Sequence, residues 1–119
     1  MAKEEKILHL TLKKKWFDMI ASGEKKEEYR EIKEYWLNRL CIETEWRMQS
    51  YIKPDFSHNE VDYAFQWYEY IVFKNGYSAN SPTLKVECLG IDIGKAKPEW
   101  SDNWQGDVFI IKLGKIINQ

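Results

Sequence analysis

The chain has 119 residues, a formal net charge of −1, a hydrophobic fraction of 44% and a charged fraction of 31%. This composition predicts one globular domain over residues 1–119 and excludes intrinsic disorder, because enough apolar surface is present to offset the entropy of ordering. The longest apolar runs are four residues, whereas a membrane helix needs about 20. We therefore expect no membrane partner and a cytoplasmic location. Residues 1–40 carry a net charge of +2 and residues 41–119 a net charge of −3, so any phosphate-binding surface must be local.

Cysteines and histidines are too few and too scattered to form a framework. Cys41 and Cys88 form no CxxC motif, and His9 and His58 lie far from both in the sequence. We interpret both thiols as reduced core residues, with a redox or metal role as the less favoured alternative. The sequence therefore predicts no metal site and no cofactor.

The spacing of apolar residues changes several times in the first third of the chain. Residues 6–12 predict a half-buried strand, and residues 13–22 predict a short amphipathic helix. Gly23 suits the left-handed C-terminal cap of that helix. Residues 25–32 predict a polar strand, although their propensity also allows a helix, and residues 33–40 predict a second short helix. The residues that carry the first two apolar patterns are Leu8, Leu10, Leu12, Phe17, Ile20 and Ala21.

The rest of the chain predicts mainly strands. Residues 61–74 are rich in aromatic and β-branched residues, which favours a strand. Residues 83–93 alternate, and the apolar phase shifts at Gly90, which indicates a bulge. Residues 95–106 predict a polar loop, and residues 107–117 predict a final strand. This order favours an α+β, mainly β fold, a small barrel with short helices at its ends, with an open α+β sheet as the alternative.

The densest candidate chemistry lies in residues 23–30, Gly-Glu-Lys-Lys-Glu-Glu-Tyr-Arg. An acidic and a basic group within reach of each other can exchange protons or polarise a bond, and Arg30 can hold a phosphate or carboxylate with two parallel hydrogen bonds. In an ideal strand Lys26, Glu28 and Arg30 share one face, so Lys25 reaches Glu28 only from a turn or a bulge. The alternative interpretation is a solvated face with cross-strand ion pairs.

The motif Gly23-x-Lys25-x-x-Glu28-x-Arg30, after a Leu-rich strand and a short helix, resembles the signature of the ASCH domain. This family is a branch of the PUA-like β-barrels, and the resemblance is to its small bacterial and phage members. The resemblance covers nearly the whole chain, residues 41–60 contributing least. It implies a single PUA-like small β-barrel over residues 1–119. The later motifs that carry it are Phe73-Lys74-Asn75-Gly76-Tyr77, Glu99-Trp100 and Leu113-Gly114.

The same resemblance implies an RNA- or nucleotide-binding domain with a charged cleft around this motif. The alternative is a hydrolase, because one ASCH branch hydrolyses N4-acetylcytidine with a Lys–Thr–Glu set and another member type cleaves RNA. Lys25 matches the lysine of that set, whereas Glu28 occupies the threonine position and is not a hydroxyl nucleophile. Glu87 and Glu99 are candidates for the third carboxylate, and Glu99 is preferred because it lies in a polar loop.

RNA or a nucleotide is therefore the expected partner. Trp100 and Trp104 lie four residues apart in the polar loop, where they can stack bases or cap a barrel end. Lys13, Lys14 and Lys15 can attract phosphate. A non-catalytic protein-interaction module is the third possibility. The predicted catalytic residues are Lys25, Glu28 and Glu99, and the predicted nucleic-acid-binding residues are Lys26, Arg30 and Trp100.

Overall fold

The computed structural model describes residues 5–42, 65–102 and 104–118 of the chain. The segment without a sequence-based assignment, residues 41–60, falls almost entirely outside this range, as do residues 61–64 of the predicted third strand. The described elements are β1 (Ile7–Thr11), α1 (Lys14–Ala21), β2 (Glu27–Arg30), α2 (Glu34–Leu40), β3 (Tyr70–Lys74), β4 (Thr83–Lys95), a 3-10 turn (Pro98–Trp100) and β5 (Asp107–Asn118).

The strands form one sheet in the order β1-β3-β4-β5-β2. β1 pairs with β3 in parallel, and the other three pairings are antiparallel. The sheet curls into a half-barrel accompanied by two short helices. This architecture confirms the mainly β, α+β fold class that the sequence predicts.

Most described elements follow the predicted boundaries. The segment after α1 is a strand, as the sequence predicts, and the register between β4 and β5 shifts between Cys88 and Gly90, as expected of the predicted bulge. β3 begins only at Tyr70. Phe65 forms an isolated bridge to Cys41, and residues 66–69 form no strand, so within the described residues the predicted strand is limited to Tyr70–Lys74.

The apolar side of α1 is set by Trp16 and Ile20, which are one turn apart and buried. Phe17, which the sequence pattern placed on this side, is only half-buried against the core. Trp16 and Ile20 are therefore the residues through which α1 packs into the core.

α1 has eight residues, and no described helix is long and apolar enough to cross a membrane.

The core lies between one face of the sheet and the helices α1 and α2. Cys41 belongs to it, and Cys88 is half-buried against it. The strand residues of the core are Leu8, Leu10, Ile71, Phe73, Leu84, Val86, Phe109, Ile111 and Leu113.

Candidate functional site

The turn after α1 determines where Lys25 lies. Gly23 has a φ of 85°, the left-handed conformation expected of it, and its amide donates to the Ile20 carbonyl at 3.0 Å. The Lys25 amide then donates to the Met19 carbonyl at 3.0 Å. Lys25 therefore belongs to the turn and escapes the alternation of β2, which is the condition for its convergence with Glu28.

The register of β2 turns two charged residues towards the core. Glu28 lies opposite Ile111 and Arg30 lies opposite Phe109 on the antiparallel neighbour β5. Directly opposed residues share a face of the sheet, and both partners on β5 belong to the core. The charged face of β2 is thus an interior face, which contradicts the interpretation of this stretch as a solvated surface.

Lys25, Glu28 and Arg30 form a buried charge cluster. The Lys25 Nζ lies 3.3 Å from Glu28 Oε1, and Arg30 Nη1 donates to Glu28 Oε2. The three side chains are exposed by 1%, 6% and 16%. Two cations and one carboxylate leave this cluster with a formal charge of +1, in surroundings where burying charge is costly unless it is paired.

The ammonium of Lys25 also holds the loop between β4 and β5. Its Nζ donates to the main-chain carbonyl of Trp100 at 2.5 Å and lies 5.1 Å from the Trp16 ring and 4.7 Å from the Tyr29 ring. Burial lowers the pKa of Lys25 below its ordinary value, while the neighbouring Glu28 carboxylate opposes this shift. Glu28 and the Trp100 carbonyl therefore stabilise the protonated form of Lys25, which burial disfavours.

Tyr29 anchors the same loop from the other face of β2. Its hydroxyl donates to Glu27 Oε1 at 2.6 Å and accepts a hydrogen bond from the Lys97 amide at 3.1 Å. Burial and the hydrogen bond to Glu27 raise the pKa of Tyr29 above its ordinary value, so the phenol stays protonated. Together, Lys25 and Tyr29 fix the loop at Trp100 and at Lys97.

A cavity of about 170 Å³ opens beside this cluster, and we call it the Glu28 cavity. Both charged residues and tryptophans line this cavity. Lys25 is not among the described residues that line it. The lining residues are Thr11, Leu12, Lys13, Trp16, Glu28, Tyr29, Arg30, Trp100, Ser101, Asp102 and Trp104.

The structure brings together some of the predicted site residues and separates others. Glu28, Arg30 and Trp100 line the Glu28 cavity, with Lys25 packed behind them. Lys26 and Glu99 are exposed and are not among its described lining residues. Glu87, the other candidate carboxylate, is exposed on β4 and accepts a hydrogen bond from the Lys115 amide at 3.3 Å.

Sequence reasoning missed several residues of this wall. Trp16 was not singled out, although its spacing of four from Ile20 was a usable signal for an inward position on α1. Thr11, Ser101 and Asp102 reach the cavity through the approach of β1 to the loop. The contact joins segments that are about 90 residues apart in the sequence, as the Lys13–Asp102 ion pair does. No local sequence pattern predicts such a contact.

Among the described residues, no group of three or more His, Cys, Asp or Glu side chains is placed to hold a metal ion. No family model matches the chain, and no curated protein or solved structure matches it significantly. The likeness to the ASCH domain therefore rests on the motifs named above.

Proposed function

We propose that the Glu28 cavity binds a base of RNA or of a nucleotide. The observation that carries this proposal is the meeting of three tryptophans, Trp16, Trp100 and Trp104, with the Glu28 carboxylate on one wall. Aromatic side chains provide stacking surfaces that every base can use, worth about 1–3 kcal/mol per base. A carboxylate accepts hydrogen bonds from the N–H groups on a base edge.

The size of the cavity suits one base. A cavity of about 150 Å³ accepts benzene, and the Glu28 cavity has a volume of about 170 Å³. A flat six-membered ring therefore fits, whereas the sugar and phosphate of the same nucleotide must remain outside it. The cavity is a base pocket and not an enclosure for a whole nucleotide.

Polar groups of the wall provide orientation. An ionised carboxylate has about four acceptor positions, and Glu28 uses its two oxygens for one contact each, with Lys25 and Arg30. Glu28 retains acceptor capacity towards the cavity. Lys13 lines the cavity, and its side chain is 77% exposed. Lys13 can therefore form an ion pair with a phosphate outside the cavity, while Glu28 accepts a hydrogen bond from a base N–H group inside it.

Titration of the tryptophan fluorescence with short single-stranded RNAs and with the four nucleoside 5′-monophosphates tests this proposal. We expect quenching that is stronger at 50 mM than at 200 mM salt, because phosphate contacts weaken with salt. Trp100→Leu is expected to weaken binding about tenfold, and Trp67→Leu, at an exposed position outside the described wall, serves as the control. Absence of quenching with every ligand at low salt would refute the proposal and favour a protein-interaction module.

A hydrolase that uses the same cavity is the second candidate. The observation that favours it is the presence of Thr11 and Ser101 among the residues that line the cavity with Glu28, the Ser101 hydroxyl donating to the Lys97 carbonyl at 2.9 Å. A hydroxyl beside a carboxylate base is the arrangement that nucleophilic catalysis requires, and position 28 itself supplies only the carboxylate. Lys25 would then hold Glu28 and the Trp100 loop in place behind the wall.

Incubation with labelled RNA and with N-acylated nucleosides separates the two candidates. If the protein is a hydrolase, Glu28→Gln lowers turnover by about 10²–10⁴-fold, and either Thr11→Val or Ser101→Ala abolishes it. If it is a binding domain, the parent protein leaves all substrates intact while it still quenches its tryptophan fluorescence on binding.

A further inference from the structure

A second cavity adjoins the Glu28 cavity and has no role in the function proposed above. It has a volume of about 250 Å³ and is lined by Ala96, Pro98, Ser101 and Trp104. We call it the Ala96 cavity. Ser101 and Trp104 line the Glu28 cavity as well. The two cavities are therefore neighbours that share a wall.

We infer that the ligand is a single-stranded segment of at least two nucleotides, with one base in the Glu28 cavity and the adjacent base in the Ala96 cavity. This inference rests on the proposed function, because the first base must bind for the second to follow. The shared wall is its basis. Trp104 is 38% exposed and lines both cavities, so one indole can contact both bases.

Size and charge agree with a dinucleotide step. Neither cavity has the volume of a whole dinucleotide, since small-molecule pockets that enclose drug-sized ligands measure about 300–1,000 Å³. The two cavities must therefore divide the ligand between them. The phosphodiester that connects the two sugars then passes outside the shared wall, in solvent, where surface cations can meet it.

Two lysines stand at suitable places for that phosphate. Lys13 lines the Glu28 cavity, and its ion pair with Asp102 at 3.4 Å is exposed and hence weak. Lys97 lies in the chain between Ala96 and Pro98 of the second cavity, and its Nζ is 4.5 Å from the centre of the Trp100 ring. Each cavity thus has one lysine beside it that can form an ion pair with a phosphate of the nucleic acid.

Calorimetric titration with matched ligands tests the inference on the unmodified protein. The ligands are a nucleoside 5′-monophosphate, the 5′-phosphorylated dinucleotide of the same base, and that dinucleotide with an abasic second position. We expect the dinucleotide to bind about 5–150-fold more tightly than the mononucleotide, the range for one further stacked base. The abasic ligand is expected to bind within threefold of the mononucleotide.

A pair of matched variants locates the second base. Ala96→Trp fills the Ala96 cavity and is expected to lower dinucleotide affinity to that of the mononucleotide, while mononucleotide affinity is retained. Ala79→Trp makes the same substitution at an exposed turn position and is expected to change neither affinity. Circular dichroism verifies that both variants are folded.

The possible failures are distinguishable. Equal affinity for the mononucleotide and the dinucleotide would overturn the second base site and leave the proposed function standing. An abasic ligand that binds as tightly as the full dinucleotide would show that the second base adds no affinity, which also overturns the second base site. No heat and no fluorescence change with any ligand would refute the proposed function, and the inference with it.

Discussion

Arg30 Nη2 donates a hydrogen bond to the main-chain carbonyl of Thr11 at 3.2 Å. Arg30 belongs to β2 and Thr11 to β1, which are the two edge strands of the sheet. This contact therefore joins the two edges of the half-barrel without a backbone ladder between them. Because both residues line the Glu28 cavity, the contact is also part of the cavity wall.

Arg30→Lys is expected to lower the free energy of unfolding by about 1–2 kcal/mol, because one ammonium cannot replace a planar fork that reaches Glu28, the Tyr29 carbonyl and the Thr11 carbonyl. Thermal melts measure the loss, at about 4 °C per kcal/mol for a domain of 119 residues. Arg39→Lys makes the same substitution at an exposed position of α2 and is the control. Equal melting temperatures for Arg30→Lys and the parent would show that the contact to Thr11 contributes nothing.

Glu28→Gln is expected to lower the free energy of unfolding by about 3 kcal/mol, because it leaves the buried ammonium of Lys25 and the guanidinium of Arg30 without a negative partner. It also replaces an acceptor on the cavity wall by an amide. Base binding per folded molecule should therefore weaken at least tenfold. Urea unfolding and calorimetry measure the two effects separately.

Glu99→Gln removes the same charge from an exposed residue and serves as the control for Glu28→Gln. Parent-like affinity in the folded Glu28→Gln variant would mean that Glu28 supports only the fold. A loss of function in Glu99→Gln equal to that in Glu28→Gln would support Glu99 as the third catalytic carboxylate that the sequence predicts.

Lys25 makes the free energy of unfolding depend on pH in the alkaline range. Its pKa is lower in the folded protein than the ordinary value of 10.5, chiefly through burial. Between these two values the unfolded chain binds a proton that the folded chain has released, so the contribution of Lys25 to stability increases as the pH rises through this window. Below the folded pKa both states are protonated and the contribution is constant.

Urea unfolding of the parent and of Lys25→Met at several pH values between 7 and 10.5 measures this contribution, because 10.5 is the ordinary pKa that sets its upper end. The free energy of the parent minus that of the variant should rise with pH. Lys26→Met removes one charge from the exposed neighbour and controls for the change in net charge. A difference that falls with pH would contradict the lowered pKa of Lys25.

Lys13→Gln should weaken RNA binding uniformly across sequences. One lost phosphate contact reduces the slope of log K against log salt by about 0.7 for a single strand. Lys14→Gln is the matched control, since Lys14 pairs with Asp18 on α1 at 2.5 Å and is not among the described residues of the Glu28 cavity. An unchanged slope in Lys13→Gln would place the phosphate elsewhere.

The sequence predicted those parts of the structure that depend on neighbouring residues. The period of Leu8 and Leu10 specified an inward face of β1, and Gly23 specified the end of α1. The condition that Lys25 must lie in a turn or a bulge to meet Glu28 followed from strand geometry alone. All of these depend on a window of a few residues.

The sequence did not predict contacts whose partners are distant or lie on the main chain. The Trp100 carbonyl that accepts from Lys25 has no residue-specific signature, since every residue carries such a group. The parallel pairing of β1 with β3 spans more than 60 residues, and it brings Thr11 to the cavity. Glu99 was preferred because loops often carry function, but the 3-10 turn leaves it exposed.

The strand order has a consequence for synthesis on the ribosome. β2 carries Glu28 and Arg30, and its hydrogen-bonding partner is β5, the last strand of the described sheet. While translation proceeds, β3 and β4 can form their antiparallel pair, but β2 has no ladder to join until Phe109 and Ile111 have left the exit tunnel. Glu28 and Arg30 therefore lack their strand partner until β5 emerges, and their burial follows the pairing of β3 with β4.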